Sequence, residues 1–108
     1  MALTRDFRET VVARAKNDAK FRAALIEEVI QAFLDGDVEE ARSMLRDCIN
    51  ATIGFARLSE ATHTPEKSLM RMVGPNGNPS ASNLMNVLRA VQCNAGVHAR
   101  VEVIGSET

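Results

Sequence analysis

The chain has 108 residues, enough for one domain with a modest hydrophobic core. Four Phe and no Tyr or Trp leave the packing to Leu, Ile, Val, Ala and Met, and a net charge of −1 excludes a broadly basic coat for nucleic acid. No apolar run approaches spanning length and none has the shape of a signal segment, so a cytoplasmic chain without membrane contact is expected.

Met1 to Leu3 are expected to be loose. Thr4 is placed to cap a first helix over Arg5 to Ala15, with Phe7, Val11 and Ala15 on one stripe. Asn17-Asp18 interrupts it, because both side chains compete for backbone hydrogen bonds. Asp18 opens a second helix with Phe21, Leu25, Val29 (or Ile30) and Phe33 inward, Ala24, Ile26 and Ala32 widening that face, and Glu27-Glu28 on the wet side. Gly36 ends it. Asp37-Val38-Glu39-Glu40 has the order of a capping box, with Asp in place of Ser/Thr, and starts a third helix. Its expected stripe is Val38, Ala41, Leu45, Cys48 and Ile49. A link this short makes the second and third helices antiparallel or steeply crossed neighbours.

A fourth helix is expected over Ile53 to Thr62, with Phe55, Leu58 and Ser59 inward. His63-Thr64 turns the chain. Thr64 caps a fifth helix over residues 65–73, with Pro65 at the first helical position and Leu69, Met72 and part of Val73 buried. Gly74-Pro75-Asn76-Gly77-Asn78-Pro79 is loop. Ser80 caps a sixth helix to Gln92, with Leu84, Val87, Leu88 and Val91 inward. Val97, Ala99, Val101 and Val103 then alternate with His98, Arg100, Glu102 and Ile104, which reads as a strand over residues 97–104. A single strand cannot stand alone, so it must pair with another copy or be offered to a partner. The organisation is therefore N-terminal helices over 1–51, a central unit over 52–96, and a strand and tail over 97–108.

Candidate chemistry is sparse. Cys48 and Cys93 are widely separated without a second ligand at metal spacing, and both read as buried apolar thiols. Asp35 and Asp37 are explained by a helix end and a helix start, and no calcium-binding loop follows. Ser59 and Ser68 lack a base, and His63 reads as a turn residue. No catalytic constellation, metal set or cofactor site is visible, and the chain is expected not to be an enzyme.

The central stretch is richer. Residues 1–51 carry eight Lys/Arg against ten Asp/Glu. Residues 52–92 carry Arg57, Lys67, Arg71 and Arg89 against Glu60 and Glu66. Two short helices joined by a tight turn, the second with an apolar back (Leu69, Met72) and polar residues near its start, are what a DNA-reading helix needs.

The spacing I-x4-L-S-x9-L-x-R-M followed by G-P-N-G-N-P-S-x-x-x-L resembles the Cro and phage-repressor helix-turn-helix, the xenobiotic-response-element type, over residues 52–92. The leading D-F-R-E-T and R-D-x-I-N-A-T-I-G-F resemble a narrower group, the addiction-module antidotes, which are antitoxins of type II toxin–antitoxin pairs. The resemblance implies a mostly α, phage-repressor-like helix-turn-helix bundle with extra N-terminal helices and a short C-terminal strand. It implies a sequence-specific DNA-binding repressor that acts as a homodimer, binds double-stranded operator DNA, neutralises a cognate toxin protein and represses its own operon.

Carried over by position, Glu66, Lys67, Met70 and Arg71 face base edges, with Lys67 or Arg71 on guanine, Glu66 on cytosine and Met70 on a thymine methyl. Ser68 and the loop N–H groups near Asn76 and Asn78 hold phosphates, with Thr64 at the head of the helix among the DNA contacts. Three positions depart from the family. Phe55 stands where Gln is common, His63 stands where the turn has Gly and so implies a positive φ, and the GPNGNPS loop carries no charge. The competing reading is a helical module that binds a partner protein without DNA.

Overall fold

The computed structural model describes residues 5–106, and among them six helices account for the regular structure. They are α1 (Arg5–Asn17), α2 (Ala19–Leu34), α3 (Val38–Ala51), α4 (Phe55–Thr62), α5 (Glu66–Met72) and α6 (Ala81–Ala95). The mostly α expectation holds. The cap expected at Thr4 and the Phe7 side chain lie outside the described residues.

Local chemistry sets most boundaries. Asp18 accepts a hydrogen bond from the Phe21 N–H at 3.1 Å, which starts α2. Just before it, Arg14 lies 3.8 Å from the Asp18 carboxylate and stacks over the Phe21 ring. The Arg22 guanidinium donates to the Ala15 carbonyl at 2.7 Å, binding α2 back to α1. At the other end of α2, Gly36 (φ +85°) and Asp37 donate to the Phe33 and Ala32 carbonyls, the paired bonds that close a helix on a left-handed residue. Gly96 and Val97 repeat the pattern on α6, donating to Cys93 and Gln92.

Asp37 departs from expectation. It occupies the capping position of α3, but its side chain accepts no cap hydrogen bond. The favourable charge at that end comes from Glu39 and Glu40 in the first turn.

The helices form two groups sharing one core. α1 lies on α2 and α3, which pack against each other. α4 packs on α5 and α6, while α2 reaches α6 and α3 reaches α4. The core runs through all of α2 to α6: Ile26 and Val29; Leu45, Cys48 and Ile49; Ile53, Phe55 and Leu58; Leu69 and Val73; Val87, Leu88, Val91 and Ala95. Burying a Leu, Ile or Val side chain of this kind stabilises by roughly 1.5–3 kcal/mol.

The expected α2 face holds at Val29 and Ile26 and weakens at its edges. Ile26 and Val29 are fully buried, whereas Leu25 and Phe33 lie at the core's margin, because α2 serves α3 on one flank and α6 on the other. On α3 the stripe holds from Ala41 onward, but Val38 is exposed in the first turn. On α5, Val73 is buried and Met72 only partly so.

The cysteines divide. Cys48 is buried, and burial pushes its thiol up to about 11 despite a hydrogen bond with Thr52. It is therefore protonated at neutral pH and packs as an apolar group. Cys93 is exposed on α6, contrary to expectation.

Residues 97–106 form no strand. The described residues provide no second strand, and a ladder needs two. The segment instead runs alongside α2 without regular structure, fastened at its start by Gln92. The Gln92 carbonyl accepts from Val97 N–H at 3.1 Å and its side-chain oxygen accepts from Ala99 N–H at 2.7 Å.

Candidate nucleic-acid interface

Gly54, at φ +78°, redirects the chain after α3 so that α4 begins at Phe55. Leu58, with no exposed surface, anchors α4 in the core, and Leu69, 1 % exposed, anchors α5. The connection between them is tied by its own polar groups. The Ser59 hydroxyl donates to the Thr64 carbonyl at 2.6 Å, while the Thr64 N–H donates to the Ser59 carbonyl at 3.2 Å. The Thr62 hydroxyl donates back to Leu58 at 2.7 Å.

His63 occupies the left-handed region at φ +53°, the one non-glycine residue to do so among the described residues. This matches what its place in the turn implied. A Cβ in that conformation costs roughly 1–2 kcal/mol, and glycine gives back about 0.5–1 kcal/mol through unfolded-state entropy. Thermal or urea unfolding is therefore expected to show His63→Gly stabilised by about 0.5 kcal/mol. His63→Val, β-branched in the wrong region, should lose about 1–2 kcal/mol. A more stable His63→Val chain would mean the turn is not held left-handed.

Thr64 is not the cap of α5. Its hydroxyl donates to the Thr62 carbonyl at 3.1 Å, and Pro65 is the capping residue, its carbonyl accepting from Ser68 and Leu69 N–H. Pro65 thus sits one position before the helix rather than in it.

With Leu69 inward, the helical repeat turns Lys67, Met70 and Arg71 outward, and Glu66 is exposed in the first turn. All four are exposed, Met70 at 48 %. Neither Lys67 nor Arg71 has an ion-pair partner among the described residues, so both cations are available to a ligand. Ser68 is half-buried beside them, and Thr64 is half-buried at the head of the helix. Asn76 and Asn78 are exposed on the following loop. Ser80 caps α6 by accepting from Asn83 N–H at 3.1 Å. The eight residues singled out in the sequence therefore lie along one continuous run, from the turn through α5 to the loop.

The loop is held by a residue the sequence reading passed over. Arg42 of α3 is 8 % exposed. Its guanidinium donates to the carbonyls of Gly74 (3.3 Å), Pro75 (3.4 Å) and Gly77. Its Nε finds no partner. The signal was present: Arg42 lies four residues after Val38 and three before Leu45, on the inward side of α3, where an Arg must carry its charge to something buried. Gly77 closes the same loop by lying against the end of α5, where a Cβ would overlap the carbonyl oxygens of Met72 and Arg71. An uncharged loop is thereby carried on a buried cation.

Beside this run, α4 and α6 enclose an open groove of about 860 Å³, whose lining includes Arg57, Arg89, His63, Glu60 and Cys93. Its two arginines extend the positive character of the central stretch. Among the described residues no group of His, Cys, Asp or Glu is clustered for metal binding, and no helix is long and apolar enough to cross a membrane. No family model, curated protein or solved structure matches the chain.

Proposed function

We propose that the chain is a sequence-specific DNA-binding regulator of the helix-turn-helix type, with α4 as the bracing helix and α5 as the reading helix. The observation that carries this reading is the division of α5. Leu69 is locked into the core with Leu58, while Lys67, Met70 and Arg71 stand exposed on the other side and Glu66 is exposed in the first turn. In this reading Arg71 takes a guanine edge in bidentate fashion, Lys67 adds a second base or phosphate contact, and Met70 lies on a thymine methyl. Thr64, Ser68, Asn76 and Asn78 face the phosphates and set the register.

The reading extends to a two-fold dimer on palindromic half-sites about one helical turn apart. By the resemblance carried by D-F-R-E-T and R-D-x-I-N-A-T-I-G-F, it extends also to an antitoxin that neutralises a toxin and represses its own operon. In a chain of net charge −1 the affinity rests in this reading on Lys67, Arg71, Arg57 and Arg89, and falls with salt in proportion to the phosphates they neutralise.

Fluorescence anisotropy on the DNA upstream of the coding region, at low and moderate salt, tests this. Arg71→Ala and Lys67→Ala are each expected to weaken binding about 10- to 100-fold, the range for loss of one good base contact. Affinity unchanged by both substitutions would remove α5 from the interface. The neutral loop and near-zero charge favour one other reading, a module that masks a partner protein. It predicts a co-purifying neighbour-encoded protein with no retention of DNA.

A further inference from the structure

Seven large apolar side chains are exposed among the described residues. Three of them, Val101 (66 %), Val103 (91 %) and Ile104 (78 %), stand on the segment that follows α6, and a fourth, Leu34, lines with Val101 a groove along α2. From Arg100 to Gly105 no residue makes a hydrogen bond within the described structure. Exposed apolar surface on unpaired backbone whose residues alternate in strand fashion suits a segment that becomes a strand on meeting a neighbour.

We infer that this segment is the contact between two copies of the chain, paired antiparallel about a two-fold axis at Val101. The charges select both the partner and the register. Centred on Val101, antiparallel pairing sets Arg100 opposite Glu102 of the second copy, twice by symmetry, and Ala99 opposite Val103. Centring on Arg100 or on Glu102 instead sets like charge against like charge. So does parallel in-register pairing. Centring between Arg100 and Val101 leaves both charges facing apolar residues.

Backbone direction agrees. In the paired strand successive N–H groups point to opposite edges, and the Ala99 N–H is already turned to Gln92. The N–H groups of Arg100 and Glu102 then face the other edge, where a hydrogen-bonded Arg100–Glu102 pair requires them. Alternation puts Val97, Ala99, Val101 and Val103 on one face. Val97 already packs against the core there, so that face is continuous with the protein interior.

The inference deepens the two-fold reading given above by naming its contact, and its test uses no DNA. Failure of self-association and failure of DNA binding are therefore separate results. Sedimentation equilibrium of the full chain at tens of micromolar is expected to show a dimer. Arg100→Glu alone and Glu102→Arg alone should each sediment as monomers with unchanged helical circular dichroism, since both positions lie outside the core. Combining the two substitutions in one chain should restore the dimer. Mixing the two single variants should also restore it, as a one-to-one heterodimer, because only across copies do their charges then oppose. A monomeric unsubstituted chain, a dimer indifferent to the single reversals, or single variants that stay monomeric on mixing would overturn the assignment.

Discussion

Arg42→Ala is expected to lower the unfolding free energy by about 3 kcal/mol, read from the shift of the urea midpoint at constant slope. The substitution removes the donor shared by three loop carbonyls, Gly74, Pro75 and Gly77, and leaves them facing a vacancy in a part-buried site. A hydrogen bond from a charged donor contributes roughly 1.5–3 kcal/mol. Two of the three contacts are long, at 3.3 and 3.4 Å, so the Gly77 bond carries most of the loss. Arg42→Lys should recover little, because one ammonium cannot span three carbonyls that a planar fork reaches together. A loss below about 1 kcal/mol would show that the loop is held by its own turn, chiefly the Gly77 N–H donating to the Gly74 carbonyl at 3.0 Å.

Gly77→Ala is expected to cost about 3 kcal/mol, at the upper end for overpacking. The added methyl meets the carbonyl oxygens of Met72 and Arg71, which belong to helix backbone and cannot swing aside. Gly105→Ala is the control: a Cβ there meets nothing, and the change should be close to neutral. Arg42 and Gly77 act on one loop, so the double variant should lose less than the two single losses added together. Strict additivity would mean that guanidinium and glycine fix different parts of the chain.

These two residues mark the limit of what the sequence discloses. Helix starts and stops were legible because their causes are local: the Asp18 carboxylate bonds three residues ahead, and Gly36 closes α2 within its own last turn. The outward set on α5 was legible for the same reason, since one buried Leu69 fixes the rotation of seven residues. The left-handed His63 followed from the resemblance, which sets a turn glycine at its position. Arg42 was not legible as a clamp, because its acceptors lie 32 to 35 residues away and meet it only after α3 has docked. On α2, Leu25 and Phe33 stay at the core's margin because two neighbours, not one, define the buried face. Cys93 carried an apolar residue type to a position that the packing of α6 leaves outside. The strand at 97–104 had the right residues, but strand formation belongs to a pair of segments and one chain holds a single one.

The way the loop is held also bears on how the protein ages. Asn76-Gly77 is a dipeptide whose backbone nitrogen ordinarily attacks the preceding side-chain amide, giving a succinimide and then aspartate. Here the Gly77 N–H is committed to the Gly74 carbonyl, and the Gly77 carbonyl to Arg42. The Asn76–Gly77 peptide plane cannot rotate toward the Asn76 amide without breaking the first bond, and the second holds the next peptide in place. The clamp that shapes the loop thus shields its asparagine from spontaneous deamidation, which would otherwise place a new negative charge beside the helix proposed to read DNA.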